Sequence, residues 1–129
     1  MAKQIITTPN APAPIGPYNQ AILMNGTLYT SGQIAIDPKT GELVQDSIQK
    51  ETRQVMENMK AVLAAAEMTF DNVVKTSIFI KNMNDFTKIN TVYSDYFDEA
   101  TAPARETVEV GNLPKYVNVE ISMIAIKGA

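Results

Sequence analysis

Two side chains in this sequence combine type and setting in a way that could handle a small charged molecule: Arg105 and Glu120. Arg105 stands in Pro103-Ala104-Arg105, at the start of an extended segment rather than on a solvated helix. Its guanidinium is a planar fork that grips a carboxylate through two parallel hydrogen bonds. The same fork also serves as one half of a structural ion pair with an acidic neighbour. Glu120 falls in the middle of the most apolar segment, Val117–Ile126, and shares its face with Asn118 and Ser122 while Val119, Ile121 and Met123 point the other way. A carboxylate placed there is either a solvated edge residue or one held among partners. Burial would raise its pKa and suit it to position water. Asn90, beside Ile89 on the apolar side of a helical pattern, either satisfies a backbone group or supports a pocket. In Thr30-Ser31-Gly32-Gln33, the glycine offers a ligand close approach to the backbone.

The chain contains no cysteine and no histidine. That excludes disulfides, thiolate nucleophiles, Cys/His zinc sites and any Ser–His–Asp arrangement. Proton transfer must rest on Asp, Glu, Lys, Tyr, a terminus or water, so any reaction must be undemanding. Lys plus Arg is 11 and Asp plus Glu is 14, a net charge of −3, and the basic residues are scattered. Nucleic-acid binding rests on clustered phosphate contacts, so a nucleic-acid partner is not expected. No apolar run approaches the ~20 residues of a membrane span, and Met1–Thr8 lacks the apolar core of a signal peptide. A cytoplasmic protein is expected. At 129 residues, 45% hydrophobic and 19% charged, the chain suits one globular domain over residues 1–129.

The elements that must position these residues follow from pattern. Pro9–Pro17 reads as an ordered loop. Tyr18–Met24 and Leu28–Gln33 flank Asn25-Gly26, a type I′ hairpin signal, and a turn follows at Asp37-Pro38-Lys39-Thr40-Gly41. Ile48, Thr52, Val55, Met56, Met59, Leu63 and Ala66 form a helical stripe whose methionines read as core, with Asp46 and Gln49 as a capping box. Val73–Ile80 is apolar on both faces, as in a central strand. A second helix is expected over Asp85–Asp98, then strands over Thr107–Val110 and Val117–Ile126, with a further strand at Lys3–Thr8. Two helices on one face of a mixed sheet make an α+β fold and leave the other face open. An open apolar face predicts self-association.

Several segments together give the sequence a recognisable character: Ile15-Gly16-Pro17-Tyr18, Thr30-Ser31-Gly32-Gln33, Asp37-Pro38-Lys39-Thr40-Gly41-Glu42, Val74-Lys75-Thr76, Asn84-Asp85-Phe86, Pro103-Ala104-Arg105, Leu113-Pro114-Lys115 and Val119-Glu120-Ile121. Along essentially its whole length the chain resembles the Rid (YjgF) family. The resemblance implies a chorismate-mutase-like fold, assembled as a homotrimer around a central β-barrel with active sites between subunits. It implies a cofactor-free, metal-free enzyme that hydrolyses reactive 2-imino acids, such as 2-iminobutanoate and 2-iminopropanoate formed from 2-aminoacrylate-type enamines, to 2-keto acids and ammonia. By position, Arg105 would clamp the substrate carboxylate and Glu120 would orient the attacking water. Tyr18, Ser31 and Gly32 would line the pocket, Asn90 would support it, and the backbone at Thr107 would contact substrate. Thr107 stands where a cysteine is frequent, Ala102 where an aromatic is common, and Ser122 where a second glutamate is often found. Imines hydrolyse readily, so positioning and electrostatics suffice without histidine or a metal. Two other roles fit such a chain. One is a non-catalytic sensor that binds small carboxylates. The other is an RNA-cleaving translation inhibitor, which the acidic balance and lack of histidine disfavour.

Overall fold

Asn25 and Gly26 take positive φ, 51° and 80°, as a two-residue type I′ turn requires. The turn joins β2 (Ala21–Met24) to β3 (Thr27–Thr30), and β1 (Gln4–Ile6) pairs with β2 on the other side. This computed structural model describes residues 2–129, and Met1 lies outside them. Three more strands, β4 (Val73–Ile80), β5 (Ala104–Glu109) and β6 (Val119–Ile126), complete one six-stranded sheet in the order β1-β2-β3-β6-β4-β5. Only β4 and β5 run parallel. A parallel pair needs a crossover, and helix α2 (Phe86–Tyr93) supplies it. The longer helix α1 (Ile48–Ala65) precedes β4. The α+β expectation, a mixed sheet with two helices on one face, is what the chain adopts.

The core lies between the helices and that face. Val55, Met56, Met59, Val62 and Leu63 of α1 are fully buried with Ile78, Ile80, Val119, Ile121 and Ala125 of the sheet. Each such side chain contributes about 1.5–3 kcal/mol relative to exposure. Glu51 is also buried, which the apolar stripe did not announce. It lies in the first turn of α1, where the helix dipole favours an anion, and accepts hydrogen bonds from the Asn118 backbone N–H and side-chain amide, both at 2.8 Å. That contact fixes the chain just before β6. It also draws Asn118 away from the face where it was expected beside Glu120.

Other boundaries differ from the sequence pattern for local reasons. Ser47, not Asp46, caps α1 by accepting from the Lys50 N–H at 3.1 Å, and Asp46 pairs with the Lys50 ammonium at 3.8 Å instead. Helix α2 ends at Tyr93 rather than continuing to Asp98. The chain then turns extended at Phe97, so that Tyr96 and Phe97 stack edge-on against Phe70 at 5.2 and 5.3 Å. Strand β5 begins at Ala104, three residues before the expected Thr107, which makes Arg105 a strand residue. The sheet's second face carries Ile5, Ile22, Tyr29, Ile124, Phe79 and Val108 in register across the strands, with Ile5, Tyr29 and Val108 exposed.

Candidate active site

The strand alternation that places Met123 and Ile121 in the core places Glu120 on the opposite face, opposite Phe79 of β4. Ser122 shares that face, as expected. Just beyond β3 the pairing with β6 is interrupted. Tyr29 pairs with Ile124, and the next bridge joins Gln33 to Ile121, so one extra residue is accommodated on the first strand. The Met123 N–H, displaced from a backbone partner, donates to Thr30 Oγ1 at 2.9 Å. Ser31 and Gly32 form this bulge, a device that re-aims side chains beside functional sites. A Cβ on Gly32 would lie 2.7 Å from Glu120 Cδ. The glycine therefore makes room for the Glu120 carboxylate, rather than only for a ligand.

Glu120 opens into a cavity of about 600 Å³ whose wall includes Tyr18, Ser31 and Gly32. Burial without a compensating cation holds its carboxyl above the usual carboxylate range. The Ser31 hydroxyl donates to the Asn19 carbonyl at 2.5 Å, tying the bulge to the loop before β2. Gln20, which sequence reasoning missed, is buried and anchors the rest of that loop. Its side chain accepts from the Thr8 N–H at 2.7 Å and donates to the carbonyls of Thr8, Ala11 and Pro12 at 3.0, 3.3 and 2.9 Å. A lone glutamine among apolar residues carried no signal that its amide would be consumed by a proline-rich loop. Lys115 also lines the cavity, from a turn in which both it and Tyr116 have positive φ, 55° and 56°. Non-glycine residues held there carry local strain.

Arg105 belongs to a second centre. It pairs with Thr76 of β4, which is buried on the helix side, so its side chain rises toward α2. The guanidinium lies 5.0 Å from the Tyr93 ring centre and 5.7 Å from that of Phe86, and it donates to Asn90 Oδ1 at 2.6 Å. Asn90 thus supports the arginine rather than a backbone group. Among the described residues no acidic side chain pairs with Arg105; the ion pairs present join Lys50 to Asp46, Arg53 to Asp95 and Lys75 to Glu106. Within the described chain the arginine therefore has no ion-pair partner, and the guanidinium borders a cleft of about 610 Å³. Thr107 follows on the same face, with its hydroxyl buried and unpartnered.

The seven sequence-derived site residues therefore fall into two groups. Tyr18, Ser31, Gly32 and Glu120 meet at the cavity; Asn90 and Arg105 line the cleft and share a narrow crevice beside it with Thr107. Within one chain the sheet separates them. Among the described residues no cluster of acidic side chains is placed to hold a metal ion, and no helix is long and apolar enough to cross a membrane.

Comparison with known proteins settles the kinship. The family model for endoribonuclease L-PSP matches residues 8–127. This chain belongs to that family, also known as Rid or YjgF. A Salmonella typhimurium relative named 2-iminobutanoate/2-iminopropanoate deaminase is 47% identical over 124 residues, 95% of this chain and 96% of its own. Among solved structures, the Rid-family protein YyfA of Yersinia pestis superposes with a TM-score of 0.94 at 55% identity, covering 97% of this chain and 99% of that one. Escherichia coli TdcF, solved with bound serine, gives 0.91 at 42% identity over 97% and 99%. Imine deaminase activity is thus attached by name to Rid-family relatives of moderate identity.

Proposed function

We propose that this protein hydrolyses 2-imino acids to 2-keto acids and ammonia, at a site that two copies of the chain build together. The observation that carries the proposal is a guanidinium with no acidic partner among the described residues and a half-buried carboxylate, set on opposite faces of one sheet. A small imino acid cannot touch both within one chain. A second copy would bring its Arg105 cleft to the Glu120 cavity, and its apolar sheet face would cover the Ile22, Tyr29 and Ile124 surface. A homotrimer closes such a head-to-tail contact into a ring. The deaminase relatives and the serine-bound relative support a ligand with a carboxylate.

In this mechanism Arg105 holds the substrate carboxylate through two hydrogen bonds; Phe86 and Tyr93 fix the plane of the fork, and Asn90 aims it before substrate binds. Glu120 accepts a proton from a water molecule as the water oxygen bonds to the imine carbon. Glu120 returns that proton to nitrogen, giving a neutral carbinolamine; it then takes the hydroxyl proton and passes it to nitrogen as the C–N bond breaks, so ammonia leaves as the carbonyl forms. Water is the only co-reactant. Tyr18, Ser31 and Gly32 shape the wall, and the β5 backbone at Thr107 lies along the substrate. The reaction as written calls on no cofactor, metal or nucleic acid. Cytoplasmic imino acids released by other enzymes are the proposed supply.

The test is a coupled assay. An amino-acid oxidase generates imino acid in the presence of semicarbazide, and semicarbazone formation is followed over time. The protein is expected to suppress semicarbazone while Arg105→Ala does not. Equal semicarbazone with and without the wild-type protein, across several amino acids, would leave carboxylate binding without turnover and favour the sensor reading.

A further inference from the structure

Thr107 Oγ1 is the only buried side-chain polar atom among the described residues that has no hydrogen-bond partner. Buried hydroxyls are ordinarily paired, because nothing else replaces the water they lose. The threonine borders a crevice of about 180 Å³ shared with Asn90, Arg105, Phe86 and Ile89, too narrow to admit water. Of the side chains there, Arg105 can only donate and the others besides Thr107 itself are apolar, so Asn90 Oδ1 is the other side-chain acceptor in the crevice. In the free protein that oxygen takes the Arg105 Nη1–H at 2.6 Å, and Thr107 Oγ1 makes no hydrogen bond to it.

We propose that Thr107 is a positioning residue that takes over Asn90 when a carboxylate ligand takes over Arg105. The inference rests on the carboxylate reading of Arg105 given above. As the ligand's two oxygens accept the donors of the fork, Nη1 swings out of line with Asn90. The freed amide then turns and accepts the Thr107 hydroxyl. Every polar group is paired in the bound state, whereas the free state leaves one unpaired. A ligand shifts a protein only through such a difference between states. The threonine hydroxyl thus destabilises the free protein and tightens the bound one.

Opposite signs make the idea testable. Thr107→Val keeps the shape and removes the hydroxyl. It is expected to raise Tm by roughly 2–5 °C while weakening binding of 2-oxobutanoate, measured by titration calorimetry on the assembled protein, by about three- to tenfold. KM for imino acid should rise by the same factor with kcat little changed, and Thr107→Ser should restore affinity. If valine disturbs assembly, Thr107→Ala is read in its place for affinity. Arg105→Ala separates the two ideas. If it binds 2-oxobutanoate as well as wild type, or if no protein in the set binds, the carboxylate reading itself fails and this inference with it. If Arg105→Ala loses binding but Thr107→Val matches wild type, or loses Tm and affinity together, the hand-over is wrong while the clamp stands.

Discussion

The Arg105 cleft and the Glu120 cavity differ in how each holds its charge. Arg105 is exposed and is oriented by two rings and one amide. Glu120 is half-buried with no cation bonded to it, so its environment controls whether it is charged at all. A group that only grips needs direction and loses little by contact with water. A group that moves a proton gains from desolvation, which brings its affinity for protons closer to working pH. The two demands conflict in one small space, and the sheet separates them within each chain.

The largest test of this division removes one half at a time. Arg105→Ala should cut deamination by roughly 10²–10⁴, the loss of two charge-assisted hydrogen bonds of about 1.5–3 kcal/mol each. Mixing it with Glu120→Gln under conditions of subunit exchange should then restore activity, since random assembly leaves roughly a quarter of shared sites intact. No recovery after verified exchange would mean that each chain works alone. Light scattering on the same samples should report three times the mass of one chain.

Glu120→Gln by itself should slow turnover by about 10² while retaining 2-oxobutanoate binding. The pH profile sharpens this assignment. Glu120 acts as the anion and burial disfavours the anion, so it takes up its proton at higher pH than an ordinary carboxylate. Wild-type activity should therefore fall with decreasing pH along a limb centred above the usual carboxylate range, and the glutamine variant should lack that limb. Gly32→Ala comes next. Its Cβ would press on the Glu120 carboxyl at 2.7 Å and displace it, with an expected loss of roughly tenfold in kcat. An unchanged rate would show that the carboxylate's position is not critical. The smallest effect is expected for Gln20→Ala, which frees the Thr8–Pro12 loop at a cost of about 1–3 kcal/mol. A lower denaturant midpoint with KM raised a few fold, and kcat largely kept, would assign the loop to shaping the cavity.

Much of this was legible in the chain itself. Asn25-Gly26 marked the hairpin, period-3.6 stripes marked both helices, a run apolar on both faces marked the strand around Ile78, and alternation marked the one around Ile121. The residues that could do chemistry stood out by type, since without cysteine or histidine few candidates remain. Boundaries set by distant partners were not legible. Phe97 leaves the helical path to reach Phe70, and Asn118 turns to meet Glu51. Gln20 and Glu51 looked unremarkable because the groups that satisfy them lie on other elements. Above all, the sequence named Arg105 and Glu120 without saying on which side of the sheet each lies. That was fixed by the register of β5 on β4 and of β6 on β4, which depends on how all six strands pair. A shift of one residue in either strand would bring the two onto one face. The sequence determined which groups are available for chemistry, and the tertiary structure alone decided that one chain carries them apart.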